Sequence, residues 1–110
     1  MTDAQKRQRA AELAGELEQA LRELGTWADD PSSIPAPRGP FGADNVAFEQ
    51  WLQVVLAERL RQVARGEADL PRGSQLSVKA AREFDGAPVD TSRLEAVLRD
   101  IDKLASRNWF

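Results

Sequence analysis

The segment from Asp44 to Arg65 constrains the fold of this chain more than any other. At about 100° per residue, its large apolar side chains spread over roughly two-thirds of a helical wheel, whereas a surface helix shows a narrower stripe. A helix this apolar cannot lie on the outside of a small domain, so we expect the other segments to pack around it. The apolar residues are Phe48, Trp51, Leu52, Val54, Val55, Leu56, Leu60 and Val63, and the polar strip between them comprises Gln50, Gln53 and Arg61.

Three further segments carry helical patterns. The first, Thr2 to Leu24, has a one-sided apolar stripe and a capping box formed by Thr2 and Gln5. A short third helix is predicted from Leu76 to Phe84, with Ser77 or Ser74 as its cap. A fourth is predicted from Asp90 to about Ser106, with Ser92 and Glu95 as its capping box. Residues 1–110 are therefore predicted to form a single all-α domain, a four-helix bundle.

A long connection joins the first two predicted helices. Residues 25–43, which we call the strap, contain four prolines that forbid a continuous helix. The strap also carries Trp27, Ile34 and Phe41, so we expect an extended segment pinned to the bundle by these three side chains. A flexible linker is the alternative. Asp44 or Asn45 is expected to cap the central helix.

Composition excludes several kinds of site. The chain has no Cys, no His and a formal net charge of −3, which excludes thiol nucleophiles, disulfides and imidazole or thiolate metal ligands. A chain that binds a phosphate backbone by itself is usually basic. No apolar run approaches the roughly 18 residues of a membrane span, and the N-terminal residues do not resemble a secretory signal. We therefore expect a cytoplasmic protein without a cofactor or metal.

The acidic pairs offer little catalytic chemistry. Asp29 and Asp30 precede a proline, which is typical of a turn. Asp100 and Asp102 are two residues apart on a predicted helix and do not face each other, so we expect them on the solvated surface.

Arg59 and Trp51 are the most informative single residues. On the wheel, Arg59 falls about 20° from Phe48, inside the apolar arc, where an unpaired charge costs several kcal/mol. Its guanidinium is expected to pair with a carboxylate or carbonyl of the strap or last helix. Alternatively, it faces a groove and binds a partner's carboxylate or phosphate. Trp51 either packs in the core or, with Gln50 and Gln53, belongs to a binding face.

Several short motifs together resemble a known family. They are Pro40-Phe41, Asp44, the run from Gln50 to Gln53, Arg59 and Leu70-Pro71. In order and spacing they resemble the YqcC-like family of small bacterial helical proteins, although Val78 stands where many relatives have a proline. The resemblance implies an α-helical bundle without an established activity, associated by gene neighbourhood and name with tRNA pseudouridine synthase C. Pseudouridine synthases use a catalytic Asp in a mixed α/β fold, and this chain shows no strand pattern, so the resemblance implies an accessory protein.

Four functional hypotheses follow. The first is a non-enzymatic module that binds a protein partner, such as a tRNA pseudouridine synthase. The second is direct RNA binding, and the third is a small hydrolase or metal-dependent enzyme that uses carboxylates. The fourth is self-association into homo-oligomers through the stripes of the first and last helices. The candidate interaction residues for the first are Phe41, Gln50, Trp51, Gln53 and Arg59, and those for RNA are Arg7, Arg9, Arg59 and Arg61.

Overall fold

The computed structural model describes residues 2–36, 38, 46–70 and 75–106. Within these ranges the chain forms four helices and no strand, which confirms the all-α prediction. We number them α1 (Asp3–Glu23), α2 (Phe48–Trp51, Leu52–Ala57 and Glu58–Ala64, three consecutive stretches), α3 (Leu76–Glu83) and α4 (Ser92–Ser106). None of the helices in the described part of the chain is long and apolar enough to cross a bilayer.

Helix α1 follows its sequence pattern closely. The Thr2 hydroxyl accepts from the Gln5 backbone N–H at 3.2 Å, and the side-chain Oε1 of Gln5 accepts from the Thr2 N–H at 2.9 Å, which confirms the predicted capping box. The stripe of Leu13, Leu17 and Leu21 is fully buried. This face supplies one wall of the core, against which α2 and α4 pack.

Helix α2 packs mainly against α1, and its bounds differ from the prediction. It begins at Phe48, and the Ala47 N–H that precedes it donates to the Gln50 side chain at 3.0 Å. The predicted caps, Asp44 and Asn45, lie outside the described residues. Leu52 and Leu60 are fully buried, but α4 packs against α1 and α3, so the contacts among the described residues do not place the other segments around α2 as expected.

The middle stretch of α2, Leu52–Ala57, is a π-helix. A π turn closes i→i+5 hydrogen bonds and so contains one residue more than an α turn. Every side chain after it is therefore rotated by roughly 100° relative to a regular helix. The wheel prediction for Arg59 was wrong for this reason: the residue is exposed instead of lying inside the apolar arc.

Helix α3 begins in an unexpected way. The residue before it, Gln75, is left-handed (φ 48°, ψ 47°) and makes no side-chain capping bond. Its cap comes from α4, because the Asp102 carboxylate accepts from the Leu76 N–H at 2.8 Å and the Ser77 N–H at 2.9 Å. It also accepts from the Ser77 hydroxyl at 2.8 Å. Asp102 is thus a structural residue that joins two helices, and not the simple surface residue that was expected.

The start of α4 also differs from the prediction, because the helix begins at Ser92 and not at Asp90. The Thr91 hydroxyl donates to Glu95 at 2.8 Å, while the Ser92 hydroxyl and N–H donate to Asp90. The proposed Ser92–Glu95 capping box was therefore wrong. The Glu95 carboxylate instead accepts from the side-chain hydroxyl of Thr91, which is buried.

The described part of the strap contacts the core at several points. Ile34 is buried, and Trp27 packs against the core beneath the Arg22 guanidinium, 5.3 Å from its ring centroid. The Gln53 amide accepts from the Ala28 N–H at 2.8 Å and donates to the Ala28 carbonyl at 2.7 Å. The third predicted anchor, Phe41, lies outside the described residues.

Candidate interaction groove

A mainly apolar groove of about 310 Å³ opens between α2, α4, the first residue of α3 and residues 69–70 that precede it. Its walls come from elements that are far apart in the sequence, so it exists only in the folded chain. Hydrophobic side chains make up most of the lining, and two charged residues complete it. The lining residues are Trp51, Val55, Leu56, Arg59, Asp69, Leu70, Leu76, Ile101 and Ala105.

The π stretch determines which residues of α2 reach this groove. Trp51, Val55 and Arg59 are spaced four residues apart and all line it. In a regular α-helix such a row drifts by about 40° per step. Because the π stretch takes more residues per turn, the three side chains drift less and stay on one side of α2.

Trp51 belongs both to the core and to the groove. It is half-buried, and its ring stacks on Phe48 with centroids 6.4 Å apart and planes 9° from parallel. Phe84 packs against the same Phe48 ring at 5.7 Å. Trp51 thus lines the groove while its ring also packs against the aromatic side chain of Phe48.

The two charged residues of the groove differ in their surroundings. The Asp69 carboxylate pairs with the Lys6 ammonium at 3.0 Å, and the Lys6 side chain is largely buried. The Arg59 guanidinium is exposed and, within the described ranges, has no carboxylate or carbonyl partner. The expected partner from the strap or last helix is thus not present among these residues. Arg59 is the cation available to a ligand in the groove.

The structure brings together two of the five candidate interaction residues, Trp51 and Arg59. Gln53 is buried and holds the strap, while Gln50 closes the start of α2. Phe41 lies outside the described residues. Sequence reasoning missed the apolar walls because their spacing is that of ordinary core positions. The missed residues are Val55, Leu56, Leu70, Leu76, Ile101 and Ala105, together with Asp69.

Two of the four arginines considered for RNA binding form ion pairs within the protein. Arg9 pairs with Glu16 at 2.9 Å and with Asp100 at 3.4 Å. Arg61 pairs with Glu18 at 3.0 Å and so links α2 to α1. The Arg7 guanidinium lies over Gly66, where an added Cβ would come within 2.8 Å of it.

The described carboxylates with perturbed pKa values are stabilised as anions. Hydrogen bonds from the Ser32 hydroxyl and N–H lower the pKa of Asp30, which confirms its predicted turn role. The same contacts from Ser92 lower the pKa of Asp90. A general acid needs a raised pKa, so these shifts have the wrong sign for that role. No cluster of three potential metal ligands occurs among the residues described.

The match to a protein family covers nearly all of this architecture. Residues 9–104 match the DUF446 family model, whose description is tRNA pseudouridine synthase C. No curated protein and no solved structure shows significant similarity to the chain. The family match begins inside α1 and ends inside α4, and so includes every residue that lines the groove except the last, Ala105. The chain belongs to the DUF446 family.

Proposed function

We propose that this chain is a non-enzymatic helical accessory protein that binds a partner protein through the groove. The observation that carries the proposal is the combination of apolar walls with Trp51, which stacks on Phe48, and an exposed Arg59 that has no ion-pair partner among the described residues. Tryptophan and arginine are enriched among the residues that dominate binding energy at protein interfaces. We further propose that the chain is a YqcC-like member of its family, a cytoplasmic single-domain four-helix bundle crossed by the strap.

The family description names the first partner to test, a tRNA pseudouridine synthase. An accessory role is favoured over synthase activity because Asp69, which lines the groove, and two aspartates of α4 already have partners within the protein. Asp102 caps α3, and Asp69 pairs with Lys6. Asp100 forms an ion pair with Arg9. A catalytic aspartate would need to be free to reach the substrate.

The proposal is tested by tagged co-purification from native lysate at moderate salt, followed by mass spectrometry. We expect a tRNA pseudouridine synthase to be retained by the wild-type chain and by Arg82→Glu, a control at an exposed arginine on α3 outside the groove. Arg59→Glu and Trp51→Ala should lose it. Recovery of no protein by a folded wild-type chain would refute the proposal, and so would retention of the synthase by both groove variants.

A second experiment addresses the enzymatic alternative. The purified chain is incubated with unmodified tRNA, and the nucleosides are analysed for pseudouridine. We expect none above the level found with heat-denatured protein. Pseudouridine formation by the purified chain alone would contradict a non-enzymatic role, whatever the co-purification shows.

A further inference from the structure

The groove has an uneven charge balance. Its acidic residue, Asp69, is 89% exposed and is paired with Lys6. Its basic residue, Arg59, has no such partner among the described residues. A ligand that enters the groove therefore meets a carboxylate that already has a cation partner and a guanidinium that has no anion partner in the described part of the chain, both among apolar side chains.

Covering Arg59 with a purely apolar ligand would be unfavourable, because removing an unpaired charge from water costs several kcal/mol. A carboxylate on the ligand offsets this cost, since it accepts two parallel hydrogen bonds from a guanidinium. A ligand that is anionic throughout would instead leave Val55, Leu70 and Ile101 without apolar contacts. The lining therefore favours a ligand with both properties.

The volume of the groove limits the size of what enters it. About 310 Å³ is at the small end of the range for ligand pockets. It accommodates a few side chains of a segment that lies across the opening, as in other peptide-binding grooves.

We infer that the groove binds a segment of a partner protein that inserts apolar side chains between α2 and α4 and places an Asp or Glu carboxylate on Arg59. This inference rests on the proposed function, because it specifies the chemistry of the partner at the same site. It is nevertheless testable without knowing that partner.

The test is selection from a random-peptide display library on the full-length protein, with Arg59→Glu and Arg82→Glu as parallel targets. Both arginines are exposed, so neither variant should lose its fold, which thermal melting verifies. The wild type and Arg82→Glu should enrich peptides with apolar residues beside an Asp or Glu. Arg59→Glu should enrich Lys or Arg at that place and bind the wild-type peptides roughly tenfold or more weakly.

Several results would overturn the inference. One is enrichment of peptides without an acidic residue, and another is equal binding of the selected peptides to Arg59→Glu. If peptides bind only after Trp109 and Phe110 are replaced by alanine, the ligand of the groove is the chain's own segment 107–110. If light scattering shows a dimer that Arg59→Glu dissociates, the ligand is a second copy of the chain.

The two proposals fail in distinguishable ways. A synthase that co-purifies through Trp51 but independently of Arg59 would refute the acidic segment and leave the accessory role standing. Acidic peptides selected through Arg59, with no protein recovered from lysate, would refute the accessory role and leave the chemistry of the groove standing.

Discussion

Replacing Asp102 with alanine should destabilise the protein more than any other single change at a partly exposed carboxylate of α4. The substitution removes the acceptor for the Leu76 N–H, the Ser77 N–H and the Ser77 hydroxyl, all at 2.8 to 2.9 Å. Two of these donors are backbone groups of the first turn of α3, which have no partner within their own helix. The preceding residue, Gln75, offers no side-chain cap to replace the carboxylate.

The magnitude follows from these three bonds. Loss of an N-cap side chain costs about 0.5–2 kcal/mol, and a hydrogen bond to a charged group contributes about 1.5–3 kcal/mol. The site is only part-buried, so water replaces some of the lost hydrogen bonds. The higher helix propensity of alanine offsets a further amount of about 0.5 kcal/mol, the difference between Asp and Ala. We expect a net loss of about 2 kcal/mol. For 110 residues, this lowers the Tm by about 9 °C.

Asp100→Ala is the matched control. Asp100 lies two residues before Asp102 on the same helix. Its contact is a 3.4 Å ion pair with Arg9 at the surface. Such pairs contribute about 0–1 kcal/mol, and the gain in helix propensity is the same for both substitutions. Thermal melts followed by circular dichroism would compare the two. Equal Tm values for Asp100→Ala and Asp102→Ala would show that the carboxylate does not support α3, and unchanged hydrogen exchange at the Leu76 and Ser77 amides would show the same.

Three further changes test other parts of the fold. Gly66→Ala should cost about 1–2 kcal/mol in denaturant unfolding, because φ is +76°. It should cost about as much as Gly25→Ala, where φ is the same, because the guanidinium above Gly66 ends a flexible, exposed side chain that can move aside, and a much larger loss at Gly66 would contradict this. Gln53→Ala should lower the free energy of unfolding by about 1–3 kcal/mol, because it leaves the N–H and the carbonyl of Ala28 in the strap without their partners. A variant as stable as the wild type would show that these two bonds do not stabilise the strap. Because folding lowers the pKa of Asp90, its contribution to the stability of the folded protein is complete above the unfolded-state pKa and is lost as the pH falls through the lower folded-state pKa. Ser92→Ala removes the side-chain hydrogen bond and should raise the pKa of Asp90 in an NMR titration.

Local patterns predicted the parts of the fold that depend on local physics. The stripe of α1 and its cap at Thr2 need only the spacing of residues along one helix, and both are present. The turn at Asp30 was equally predictable, because the acceptor and its donors are two residues apart. The cap of α3 was not, because Asp102 follows Ser77 by 25 residues and reaches it only through tertiary packing. The sequence therefore predicted a nearby serine, Ser77 or Ser74, as the cap of α3. In the structure Ser77 is not the cap but donates hydrogen bonds to it, the Asp102 carboxylate.

The candidate site was predicted in the same partial way. Trp51 and Arg59 attracted attention as an aromatic and a charge on an apolar helix, and both line the groove. Its opposite wall, with Leu70 and Ile101, could not be predicted because these residues show ordinary core spacing. Which of them lines a groove depends on how closely the neighbouring helix approaches, and that is a property of the packed structure.

The π stretch of α2, to which we attribute the wrong wheel position predicted for Arg59, can be tested by deletion. If the π stretch amounts to one inserted residue, deleting one residue from it should restore a regular α-helix and leave the later side chains on their present faces. Val54 is the residue to delete, because it is half-buried and belongs neither to the core cluster nor to the groove. We expect this deletion to cost about 1–2 kcal/mol and to preserve binding that depends on Arg59.

Deleting Gln19 from the regular helix α1 is the contrasting case. It would rotate Leu21 by about 100° relative to Leu17, and both are fully buried. Removing one of them from the core costs about 2–5 kcal/mol, so the melting temperature should fall much further than after deletion of Val54. If the two deletions prove equally damaging, the π stretch is a fixed part of the core packing and not an insertion. If deletion of Val54 is tolerated but abolishes Arg59-dependent binding, the extra residue serves to align Trp51, Val55 and Arg59 along the groove.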